Sequence, residues 1–149
     1  MRRGVAGLLG LLLAGPVAGQ GRGPAWGAGV VAVASDPGFV GAGPVGRWPV
    51  ARQVVVSGFG AVGRRADRWV LRGEATVQYR VRDWASPRPA WYLAGGVAGV
   101  TRTGGGGYLV AGVGYETRIA AKSAFWAELG VAGGARLMIG IQSRSGRRK

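Results

Sequence analysis

The sequence predicts an all-β protein: a signal peptide followed by a single closed, antiparallel, up-and-down β-barrel of eight strands. Three observations point there. From Trp69 to Arg82 the residues alternate, with Trp69, Leu71, Gly73, Ala75, Val77, Tyr79 and Val81 on one side and Arg68, Arg72, Glu74, Thr76, Gln78, Arg80 and Arg82 on the other; only Val70 breaks the rule. Neighbouring side chains on a strand point to opposite faces, so this is one long ribbon with an oily face and a charged face. Secondly, no stretch beyond residue 20 carries a capped apolar stripe of helical period, and the 31 glycines are scattered through every segment, each disfavouring a helix interior by about 1 kcal/mol relative to Ala. Thirdly, turn signals divide the chain at a fairly even spacing.

The chain opens with Arg2 and Arg3, an apolar run from Val5 to Ala14, then Pro16 and Val17-Ala18-Gly19 before Gln20. This has the layout of an export signal and is too short to span a bilayer as a helix, so residues 1–19 are expected to be removed and residues 20–149 to form one domain. The strands expected in order are Ala25–Ala34, Phe39–Trp48, Arg52–Val62, Arg68–Arg82, Ala90–Arg102, Tyr108–Ala120, Ala124–Ala132 and Ala135–Arg144. The second is the weakest, because Gly41, Gly43, Pro44 and Gly46 argue for a loop and Pro is barred from a central ladder. Connections carry turn chemistry: Ser35-Asp36-Pro37-Gly38, Arg64-Arg65-Ala66-Asp67, the two prolines in Asp83–Pro89, Gly104–Gly107 and Gly133-Gly134.

Asp36, Asp67 and Asp83 lie in or beside turns, whereas Glu74, Glu116 and Glu128 lie inside strands, opposite the large apolar residues. Leu109, Ala111, Val113, Tyr115 and Ile119 oppose Gly112, Gly114, Glu116 and Arg118; Leu129 and Val131 oppose Glu128; Leu137, Ile139 and Ile141 oppose Arg136 and Gln142. In water such ribbons would cover their apolar side with a second layer. In lipid the apolar side faces outward and the charged side turns to a lumen, which only a closed barrel permits because every strand edge must be paired. Small Gly and Ala residues on the charged face favour the second arrangement, since a narrow eight-stranded barrel is filled by its own side chains. Arg72, Glu74, Arg80, Glu116, Arg118, Glu128 and Arg136 all share that charged face. Trp69 and Tyr79 lie ten residues apart on one face, which projects to roughly 25 Å at about 3.3 Å per residue and a tilt near 40°. With Trp91 and Tyr115 they are the candidate aromatic girdle.

The composition excludes several chemistries. There is no Cys and no His, so disulfides, lipoprotein-type anchoring through a thiol, catalytic triads and ordinary zinc sites are ruled out, and no catalytic, metal or cofactor site is expected. Each Glu shares its face with Arg, which keeps a carboxylate charged and unsuited to act as a general acid. Gly58-Phe59-Gly60-Ala61-Val62-Gly63 matches the dinucleotide-binding fingerprint in letters. However, Arg64-Arg65-Ala66-Asp67 and a period-two strand follow it in place of a helix, and Gln78 stands where an acid would close the motif. An oxidoreductase using that loop is the least favoured reading. Helical spans built on Gly95 and Gly99 would have to bury Arg102 and four glycines. Lys and Arg number 20 against 6 Asp and Glu, and removal of Arg2 and Arg3 with the leader leaves 18 against 6. That charge suits phosphates, on anionic lipid or lipopolysaccharide in place of nucleic acid, from which export separates the protein.

The export signal, the eight short strands and segments such as Arg72-Gly73-Glu74-Ala75 and Glu128 to Leu137 together resemble the small outer-membrane β-barrel proteins of Gram-negative bacteria over roughly residues 25–144. The resemblance implies a protein of the cell outer membrane whose interior charge network would be Arg72, Glu74, Arg80, Glu116, Arg118, Glu128 and Arg136; with no His or Cys, the expectation is a non-enzymatic monomer with both termini in the periplasm, membrane lipid as its partner and a role that is structural or one of surface interaction. Two features depart from that class. Such barrels commonly finish on an aromatic residue, whereas this sequence runs Ile141-Gln142-Ser143-Arg144-Ser145-Gly146-Arg147-Arg148-Lys149, and barrel-type lipid-modifying enzymes rely on His. The alternative is a secreted soluble β-barrel that binds a small apolar ligand.

Overall fold

A computed structural model describes residues 23–101 and 106–145. The leader assigned to residues 1–19 lies outside the described residues. Eight strands follow one another: β1 (Ala25–Ala34), β2 (Phe39–Pro49), β3 (Val54–Arg65), β4 (Arg68–Arg80), β5 (Ala90–Val100), β6 (Gly106–Arg118), β7 (Ser123–Val131) and β8 (Ala135–Arg144). Each pairs antiparallel with the next, and β8 pairs with β1 from Ala25↔Arg144 to Ala34↔Ala135, closing the barrel. Closure leaves no unpaired edge.

β2 forms despite its glycines and Pro44. Its ladder with β1 is unbroken from Ala25↔Arg47 to Val33↔Phe39. On the other side the pairing with β3 passes from Ala42↔Val62 to Val45↔Phe59 without a change of register, skipping Gly43 and Pro44. A residue with no N–H facing β3 produces such a gap, and pairing on both flanks carries the strand through it. Strand β4 stops at Arg80, two residues short of the expected end, because Val81 and Arg82 enter a nine-residue connection, residues 81–89.

Inside, bulk on one strand meets glycine on the next. Tyr92 is paired with Gly114, and a Cβ placed on that glycine would run into the Tyr92 ring. Trp126 likewise lies against Gly140, its partner on β8, and against Gly29 beyond it. The tight reversal between β7 and β8 uses Gly133 at φ 75°, a conformation that costs glycine little.

The inward face of the first three strands differs from the expected charged one. Val31, Val33, Phe39, Val45, Phe59 and Ala61 point inward and pack with Trp126 and Met138, so the lumen has an apolar flank beside its charged one. The outer wall is apolar all round: Val30, Val40, Val62, Leu71, Val77, Leu93, Val97, Leu109, Leu129, Leu137, Ile139 and Ile141 are exposed. No helix among the described residues is long and apolar enough to cross a membrane, which does not bear on crossing by strands.

Candidate functional site: an ion-paired lumen and an aromatic belt

Two charge clusters fill the lumen, one above the other. In the half farther from the termini, Arg136 donates from Nη2 to Glu74 Oε2 (2.5 Å), from Nε to Glu74 Oε1 (3.1 Å) and from Nη1 to Glu128 Oε1 (2.5 Å), and it also contacts the Met138 sulfur. Arg72 Nε joins Glu74 Oε1 at 2.7 Å and reaches the Ala132 carbonyl. All four side chains are buried. Two guanidinium groups against two carboxylates leave this cluster neutral.

The second cluster is built around one acid. Glu116, 3% exposed, accepts from Arg47 (3.0 Å), Arg80 (3.1 Å) and Gln142 (2.9 Å) at Oε2 and pairs with Arg144 through Oε1. Aromatic rings hold the guanidinium groups apart. Arg47 lies between Trp126 (4.6 Å) and Tyr92 (5.5 Å), Arg80 between Trp84 (4.9 Å) and Tyr92 (5.6 Å), and Arg144 over Trp84 (4.2 Å). Each such contact lets a ring face stand in for part of the lost hydration of a cation. Trp84 comes from the 81–89 connection, is buried with Ala25 and Val55, donates its backbone N–H to the Arg52 carbonyl and accepts from Arg144 Nη1 at its own carbonyl. That connection folds back as a stopper in the barrel mouth. Between the clusters lies a cavity of about 10 Å³ bordered by Arg47, Ser57, Glu74, Gln78, Trp126, Glu128 and Arg136. This is about the room of a single water.

Of the residues singled out from the sequence, Arg72, Glu74, Arg80, Glu116, Glu128 and Arg136 are brought together inside the barrel. Arg118 is not: it has the inward parity of Glu116 but stands at the last position of β6, and its side chain is exposed at the rim. Arg47, Arg144, Trp84 and Tyr92 join them without having been singled out, as does Gln142, whose parity on β8 already set it on the charged face. Arg47 follows the glycine-rich stretch that makes the second strand the weakest in the sequence, although its pairing opposite Ser57 on β3 shares the inward parity of Val45. Trp84 sits in a connection, where no periodicity exists to read.

On the outer wall Trp69, Tyr79 and Trp91 are exposed and Tyr115 is half-buried. Tyr79, Trp91 and Tyr115 lie near the end that carries the chain termini, where Trp26 and Trp48 join them. Trp26 meets Trp48 edge-on at 5.0 Å and Trp91 meets Tyr115 at 5.0 Å, two ring pairs that with Tyr79 make up a belt at this end. At the opposite end Trp69, 72% exposed, sits beneath the Arg64 guanidinium (5.9 Å).

The Gly58–Gly63 segment lies wholly inside β3, so it makes no phosphate-binding turn before a helix. Among the described residues no group of His, Cys, Asp and Glu is arranged to hold a metal ion.

No protein-family model matches the chain, and no curated protein matches it in sequence. Its fold matches solved membrane barrels. The N-terminal β-barrel domain of Pseudomonas aeruginosa OprF superposes with a TM-score of 0.59 at 12% identity, over 85% of this chain and 100% of that one. A structure from the de novo design of transmembrane β-barrels gives 0.59 at 20% identity, over 85% and 98%. Ail, the attachment invasion locus protein of Yersinia pestis, gives 0.50 at 16% identity, over 84% and 99%. At these identities the likeness is one of fold.

Proposed function

We propose that this chain is an integral outer-membrane barrel of Gram-negative bacteria, delivered by the leader at residues 1–19, with both termini in the periplasm and a plugged, non-conducting lumen. The observation that carries this reading is the inversion of the usual soluble arrangement. Leu, Ile and Val side chains cover the outside of a closed sheet, while five arginines and three glutamates are turned inward. A soluble domain rarely exposes contiguous apolar patches beyond a few hundred Å², whereas hydrocarbon solvates such a wall and forbids unpaired backbone. The likeness to OprF, Ail and the designed barrels supports the same medium.

A soluble barrel that stores a small apolar ligand inside would need an apolar lumen, and the space between the ion-paired clusters is only about 10 Å³; the large apolar hollow bordered by Pro44, Gly60, Val62, Leu71, Gly73 and Gly99 lies open on the outer wall, where lipid would fill it. A nicotinamide-dependent activity has no support from a glycine segment that is all strand. We read the protein as non-enzymatic and monomeric, since the barrel closes within one chain.

Between a structural and a surface-recognition role, the connections favour the structural one. Those at the end away from the termini are residues 35–38, 66–67, 101–105 and 132–134, too short to build a recognition surface. The experiment is fractionation of the native host with heat-dependent gel mobility. Recovery in the outer membrane, with a band that shifts on boiling, is expected. A detergent-free monomer in the periplasm or medium would overturn the reading.

A further inference from the structure

The two ends of the barrel differ in charge. At the end carrying the termini, Arg52, Arg82, Arg88, Arg118 and Lys122 are exposed, against the half-buried Asp83. At the opposite end the exposed charges among the described residues are Arg64 and Arg68 against Asp36 and Asp67, with Arg64 and Asp67 3.8 Å apart. Arg65 there is half-buried and bonds inward to the Pro37 carbonyl and the Tyr108 hydroxyl. Among the described residues, one rim is therefore strongly cationic and the other nearly neutral.

The cationic rim coincides with the aromatic belt. Arg52 follows the Trp48 end of β2, Arg82 and Arg88 lie in the connection between Tyr79 and Trp91, Arg118 stands three residues beyond Tyr115, and Lys122 lies in the next connection. Tyr and Trp settle where hydrocarbon gives way to headgroups. Bases placed just beyond them in the chain therefore stand at headgroup depth, where each Arg or Lys near an anionic surface favours it by about fivefold.

We propose that this rim is a binding surface for anionic phospholipid headgroups, selecting phosphatidylglycerol-type lipids in the leaflet at the termini end; this rests on the membrane reading above. Phosphate oxygens would be met by guanidinium groups in bidentate fashion, with the belt indoles against the glycerol and upper acyl chain. At the opposite rim the exposed charges among the described residues are balanced in sign and attract an anionic surface less, so the selectivity belongs to the leaflet at the termini end.

The test uses the full chain in phosphatidylcholine bilayers doped with brominated phosphatidylglycerol or brominated phosphatidylcholine, read by tryptophan quenching. Trp26, Trp48 and Trp91 report the belt, and a Trp69→Phe background removes the reporter at the far end. Brominated phosphatidylglycerol should quench at about fivefold lower content than brominated phosphatidylcholine at low salt, and the preference should shrink at high salt. A variant carrying Arg52→Gln, Arg82→Gln, Arg88→Gln, Arg118→Gln and Lys122→Gln should lose it; all five side chains are exposed, and unchanged heat-modifiable mobility checks the fold. Arg64→Gln with Arg68→Gln should keep it. Equal quenching by both lipids, or a preference surviving the fivefold variant, overturns the proposal alone. Absence of quenching by either lipid overturns the membrane reading and this proposal with it.

Discussion

Replacing Glu116 with Gln should be the most damaging single change at any of the three carboxylates in the lumen. The side chain keeps its shape and its Oε1, but the only negative charge among Arg47, Arg80 and Arg144 is gone. Arg47 and Arg80 are 1% and 2% exposed, so neither can turn to water, and Arg144 is 14% exposed at its side chain. Removing one partner of a buried pair typically costs about 3–5 kcal/mol; with three guanidinium groups orphaned together the upper end, about 5 kcal/mol, is expected. Glu128→Gln is the internal comparison. Arg136 would keep both of its bonds to Glu74, so about 3 kcal/mol is expected there. With a urea slope of about 2 kcal/mol per molar, the midpoints should fall by roughly 2.5 M and 1.5 M. Equilibrium unfolding in lipid vesicles, followed by tryptophan emission and gel mobility, measures both. A Glu116→Gln variant that loses less than Glu128→Gln would refute the three-to-one accounting. Restoration by Glu116→Gln with Arg144→Gln, which removes one orphaned cation, should be partial.

Three further outcomes follow from the same packing. Ile139→Arg places a guanidinium midway along β8 on the outer wall, between Ala127 and Val30; in a bilayer it should cost about 2–4 kcal/mol, and a change within the error of the same unfolding measurement would mean that this wall meets water. Gly114→Ala puts a methyl into the Tyr92 ring and should cost about 1–3 kcal/mol as overpacking, with Tyr92→Leu in the same chain recovering part of it. Trp84→Ala removes the stopper with its two stacked arginines and should cost about 3–5 kcal/mol. Planar-bilayer recordings should nonetheless stay silent, because the Arg136, Glu74 and Glu128 layer still closes the lumen; discrete conductance steps would show that the loop is the only barrier.

The sequence is most legible where both faces of a strand carry a strong and opposite signal. In β4 the alternation of Leu71, Val77 and Tyr79 with Arg72, Glu74, Gln78 and Arg80 gives the orientation directly, since only one parity suits each medium. In β2 the contrast fades: Gly41, Gly43 and Pro44 hide both propensity and parity, and what makes the strand is pairing with β1 and β3, which is non-local. Arg47 was lost with it, although it contributes one of the three cations on Glu116. Arg118 failed for the converse reason. Parity says which way a side chain points but not whether the lumen still encloses it at the end of the strand. Trp84 required knowing that residues 81–89 fold back over the mouth, a property of the closed barrel and of no local pattern.

The ion pairs also constrain how the barrel can assemble. Glu116 takes its bonds from β2, β4 and β8, and Glu74 on β4 takes two from Arg136 on β8; these partners are 69, 36, 26 and 62 residues apart in the chain. Neighbouring strands alone cannot supply them, because the contacts cross the lumen and exist only when β1 meets β8. In a curved but open sheet the same arginines and glutamates would face a water-filled cleft, solvated but gaining little from one another, since exposed pairs are worth about 0–1 kcal/mol. Closing the β1 and β8 seam expels that water and turns every pair into an obligate one at the same moment. Strand pairing and lumen pairing thus become one event. Weakening the Glu116 hub should therefore lower the stability of the whole barrel, with no selective fraying of β6, and amide exchange should report uniform loss of protection across all eight strands.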